Sequence, residues 1–124
     1  MTAIPQSDAP RPPATDFDRW FAASIAGHDG VTCLIVLAQR SPGSLVPLSS
    51  IYVHAEPGGL DWNGLTVMLA GAGHPWDAVA IRIETSAHAG PLDNPAAHRR
   101  LHELVARATD VPCSLWQCDV FDAN

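Results

Sequence analysis

The stretch Val31-Thr32-Cys33-Leu34-Ile35-Val36-Leu37-Ala38 decides the fold. It is short, and neither its odd nor its even positions form a polar face. Alternate residues of a strand point to opposite sides, so such a run reads as a strand buried on both faces. Upstream, Gly27 and Gly30 close a predicted helix. Thr15 followed by Asp18 resembles a capping box, and Asp16 and Asp18 suit the positive end of the helix. Phe17, Trp20, Phe21, Ser24 and Ile25 fall on one stripe of it, and His28 lies near its negative end.

Downstream, Ser41, Pro42, Gly43 and Pro47 read as a loop, followed by a strand over Ser50–Ala55. Ile51, Val53 and Ala55 form one face of that strand, Tyr52 and His54 the other. Glu56-Pro57-Gly58-Gly59 breaks it. Asp61 then caps a helix carrying Trp62, Leu65, Thr66 and Leu69, although Gly64 costs about 1 kcal/mol relative to alanine. A strand over 65–69 is the alternative. Gly71 and Gly73 end the element, and His74-Pro75 turns the chain.

Asp77–Thr85 is the clearest strand, with Val79, Ile81 and Ile83 alternating against Ala80, Arg82 and Glu84. After a loop, Asn94 as cap and Pro95 at the first turn open the clearest helix. Its stripe is Ala97, Leu101, Leu104, Val105 and Ala108, with Arg99, Glu103 and Arg107 outside. Pro112 stops it. Leu115–Phe121 reads as a last strand, Trp116, Cys118 and Val120 on one face and Gln117 and Asp119 on the other. The expected fold is α/β or α+β: a two-layer sandwich of a roughly four-stranded mixed sheet with about three helices, mostly on one face. A flexible Pro-rich tail over 1–14 precedes a single domain over 15–124.

Composition narrows the function. The 124 residues are 47% hydrophobic and 16% charged, with seven Arg, no Lys and a formal charge of −6. An acidic chain without lysine is a poor binder of phosphate backbones, which argues against nucleic acid. No apolar run is long enough to span a membrane. The N-terminal residues lack a secretory pattern, and Cys33, Cys113 and Cys118 sit among apolar neighbours. They read as reduced core thiols of a cytoplasmic protein.

The period of two gathers one candidate site: Tyr52, His54, Arg82, Glu84, Gln117 and Asp119, on the sheet face that the helices leave open. Arg82 there can pair with Glu84 or Asp119, or grip a carboxylate. The plainer reading is a solvated face with cross-strand ion pairs. His98 and His102, four apart on the last helix, can reach one metal, but histidines at a helix border commonly carry no role. Cys33 in the most apolar run is inert rather than nucleophilic. Gly58-Gly59 before a helix can hold an anion, but Glu56 and Asp61 flank it, and a plain turn fits better.

These features lead to a non-catalytic acidic binding module, an inhibitor, immunity or accessory subunit docking on a larger protein of basic surface, with no cofactor. The alternative is a small enzyme or ligand-binding domain using the polar sheet face. A homo-oligomer joined through that face is the third reading.

Overall fold

The computed structural model describes residues 16–71, 73, 76–87, 90–111 and 113–122. The tail over 1–14, the Thr15 cap, the His74-Pro75 turn and the Pro112 stop lie outside the described residues. The order is α1 (Asp16–Ile25), β1 (Val31–Ser41), β2 (Ser44–Ala55), α2 (Trp62–Ala70), β3 (Ala78–Glu84), α3 (Asn94–Asp110), a 3₁₀ turn (Ser114–Gln117) and β4 (Asp119–Asp122). The fold is α+β: three helices and an open four-stranded sheet ordered β2-β1-β3-β4, with α3 packed on the sheet. All three pairings are antiparallel, so the sheet is not mixed.

The eight residues Val31–Ala38 are all buried. They form an interior strand because both of their faces meet apolar partners. Val31, Cys33, Ile35 and Leu37 join Phe17, Phe21 and Ile25 of α1 and Leu65 and Leu69 of α2. Leu34, Val36 and Ala38 join Leu101, Leu104 and Ala108 of α3. Helix α3 and the sheet thus make two layers, while α1 and α2 close the opposite face of the sheet.

The connections explain the placement. β2 and β3 flank β1 and run the same way, so the chain between them must cross the sheet, and α2 lies in that crossing. Asp61 caps α2, accepting a hydrogen bond from the Gly64 amide at 2.7 Å. Asp18 of α1 also accepts one from the Trp62 amide, at 2.8 Å.

Three local expectations change. The residues read as a loop after β1 instead extend a hairpin, with Ser41 opposite Ser44 and a two-residue turn at Pro42-Gly43. Gly43 takes φ +74°, a value open to glycine and strained for other residues. The surplus residue, Leu48, is absorbed in a bulge opposite Leu37/Ala38. The cap of α3 is Asp93, which accepts from the Ala96 amide at 2.8 Å, and Asn94 is the first helical residue. The predicted last strand is shorter, because Ser114–Gln117 coil into a 3₁₀ turn before β4.

Candidate functional site

The registers align two rows across three strands. His54, Thr32 and Glu84 form one row, and Tyr52, Leu34 and Arg82 the next. Directly opposite residues of an antiparallel pair share a face. Tyr52, His54, Arg82 and Glu84 therefore stand together, as the alternation implies. Their face is not open, however, because α3 lies on it.

The remaining two residues stand apart from this group. Gln117 belongs to the 3₁₀ turn. Asp119 is opposite Ile81 and so shares the α1/α2 face. Cys118 and Val120 are the residues that join the α3 side. Trp116, expected on an inner strand face, is 45% exposed, with the Arg40 guanidinium 5.3 Å from its ring centre.

The four grouped side chains are engaged locally. The Leu92 amide donates to the buried Thr32 Oγ1 at 2.9 Å. That hydroxyl lies 2.9 Å from His54 Nδ1, and His54 Nε2 lies 2.8 Å from Asn94 Oδ1. One neutral tautomer satisfies every group: Thr32 donates to Nδ1, and Nε2–H donates to Asn94. The His54 ring also contacts Tyr52, their centres 5.5 Å apart. Glu84 accepts from Arg100 of α3 at 2.7 Å, and the Arg82 guanidinium lies beside the Cys118 thiol. The bonds of Leu92, Asn94 and Arg100 tie the start of α3 to the sheet. The depression beside them, between Arg82, Glu84, Arg100, Glu103 and Arg107, holds ≈ 130 Å³. Small-molecule sites run from about 300 Å³.

His98 and His102 are both exposed on α3. Among the described residues no group of three or more His, Cys, Asp or Glu side chains is arranged to hold a metal ion. Cys113 is exposed and Cys118 half-buried, so of the expected core thiols only Cys33 is fully buried.

Burial pushes the Cys33 thiol up to about 12 from an ordinary 9.0. At pH 8 its thiolate fraction is then about 10⁻⁴. Iodoacetamide is expected to alkylate Cys113 in the native protein and Cys33 only after denaturant is added, as peptide mass mapping will show. Because the unfolded thiol ionises first, the contribution to stability is complete below pH 9 and lost as pH rises towards 12. Urea midpoints measured across that window should fall. Burial also raises the Cys118 thiol, with Arg82 partly opposing it.

A larger hollow lies on the other face, missed by the sequence reading. It runs between α1 and the 56–61 turn and holds ≈ 460 Å³. Phe21, Ile25 and Leu60 supply apolar walls, Ala22 and Ala26 an exposed flank, and Asp18 and Asp61 carboxylates. Asp16, Asp29 and Glu56 are close in sequence, and Arg19 pairs with Asp16. Gly58-Gly59 builds a plain turn here, the Gly59 amide donating to the Glu56 carbonyl at 2.8 Å. The sequence signal was the run of acids around α1 and the turn, which only folding brings together.

No protein-family model, curated protein or solved structure matches this chain. The class defined so far is the α+β fold itself. No helix among the described residues is long and apolar enough to cross a membrane.

Proposed function

We propose that this protein is a non-catalytic acidic binding module, an inhibitor, immunity or accessory subunit that docks on a larger protein of basic surface in the cytoplasm. The observation that carries the reading is the ≈ 460 Å³ groove between α1 and the 56–61 turn, apolar within and lined by Asp18 and Asp61. An apolar anchor flanked by Arg or Lys fits it: burial supplies affinity and the carboxylates steer the approach. A formal charge of −6 extends that steering over the whole molecule. The polar group on the α3 side supports catalysis less well. Both ring nitrogens of His54 have partners, and the depression there is small.

Capture from the native host with the full chain tests this. One stoichiometric partner is expected, with a complex that weakens steeply as salt shortens the screening length from about 10 Å at 0.1 M to about 3 Å at 1 M. The double substitution Ala22→Arg, Asp61→Asn should weaken it about tenfold or more. Asn keeps the cap of α2 while removing its charge. Recovery of the protein alone, or association indifferent to salt and to both substitutions, overturns the reading.

A further inference from the structure

The two edges of the sheet are unlike. β4 is four residues long, with exposed carboxylates at both ends, Asp119 and Asp122. β2 is twelve residues long and contains no Asp, Glu, Lys or Arg. Natural edge strands are blunted by shortness, charge, proline or bulges, because unpaired amides and carbonyls recruit another strand. β4 has the first two protections. β2 has Pro47 and the adjacent bulge near its start, and neither from Ser49 to Ala55.

The same edge carries exposed apolar side chains beside Ser50 and His54. Of the six large hydrophobic side chains exposed among the described residues, four lie on β2 and α2: Val46, Ile51, Val67 and Met68. Ile51 and Met68 line one hollow of ≈ 260 Å³ with Leu37, Leu69, Ser49 and Ser50, and no ionisable group borders it.

We propose that a second copy of this chain pairs with the outer edge of β2 from Ser49 onward, its own β2 running antiparallel across a two-fold axis. The charge pattern selects this occupant. A basic partner is drawn to the acidic groove, whereas this strip has no charge to attract it. Between two molecules of charge −6, contact through a strip without carboxylates meets the least like-charge repulsion. A two-fold axis sets a strand edge against itself, so an uncharged edge necessarily meets an uncharged edge. Ladder hydrogen bonds and burial of Ile51 and Met68 provide the driving force. The pairing joins two sheets into one of eight strands and leaves the groove beside α1 to other partners.

Sedimentation of the full chain over a wide concentration range tests the proposal, with an expected shift from 13.2 kDa to twice that mass. Ile51→Lys and Ser50→Lys are expected each to raise the dimer dissociation constant about tenfold or more, by setting like charges across the axis. Amide exchange on the unmodified protein provides a check free of folding effects: protection over 49–55 should rise with concentration while β4 is unchanged. A monomer at every concentration, a dimer indifferent to both substitutions, or protection appearing elsewhere overturns the proposal.

Discussion

Phe17→Ala is expected to cost about 3–5 kcal/mol, the range for deleting a buried aromatic side chain. Phe17 is 1% exposed, and four rings surround it: Phe121, Trp62, Phe21 and Trp20, at centre distances of 5.4, 5.5, 5.7 and 5.8 Å. They belong to β4, α2 and α1 itself, so one side chain joins three elements. Truncation leaves a cavity bordered by stiff rings, which collapse poorly into it. Against a total stability of about 5–15 kcal/mol the loss is severe. The urea midpoint should fall by about 2 M, at a slope of about 2 kcal/mol per molar. Arg19→Ala, which breaks the exposed pair with Asp16, should shift stability by no more than about 0.5 kcal/mol. A Phe17→Ala cost under about 1 kcal/mol would show that the ring cluster is not the junction described.

Thr32→Val should cost about 1–3 kcal/mol, although the two side chains have nearly the same shape. Thr32 is fully buried, and its hydroxyl accepts from the Leu92 amide and meets His54 Nδ1. Valine strands the buried amide without a partner, whereas Thr32→Ser keeps the oxygen and should recover most of the loss. The specific readout is hydrogen exchange at Leu92 and in the first turn of α3, which should quicken more than exchange in β3. His54 is exposed, so His54→Ala should matter less. If the serine variant is as unstable as the valine variant, packing rather than the hydroxyl is responsible.

Much of the fold was legible. The buried run Val31–Ala38 became the interior strand, and the stripe Ala97, Leu101, Leu104 and Ala108 became the inner side of α3. These elements bury large apolar areas in a regular period, and period survives any tertiary arrangement. The turn at Pro42-Gly43 was harder, because a two-residue hairpin and a longer loop share the same residues, and only the pairing of Ser41 with Ser44 separates them. Gln117 leaves the group because Ser114–Gln117 form a 3₁₀ turn, so the alternation read over 115–121 does not hold there.

The candidate site divides along the same line. Tyr52, His54, Arg82 and Glu84 do share one face, covered by α3, since alternation within β2 and β3 and their pairing with β1 set it. Asp119 was assigned to the wrong face. Cys118 and Val120 do alternate with Asp119, but this sheet is apolar on both sides, and a period of two cannot say which core an apolar residue enters. Register against β3 supplies that answer.

Composition, charge and hydrophobic period were enough to establish a small acidic chain of mixed helices and strands, its element order and the strand buried on both faces; that the sheet is antiparallel throughout, and the fold therefore α+β, came from the pairing. Which face α3 covers, which edge of the sheet stays bare, and how α1 meets the 56–61 turn were decided by packing alone. Those features depend on contacts between residues far apart in the chain, and local periodicity records which side of an element is apolar without recording what that side touches.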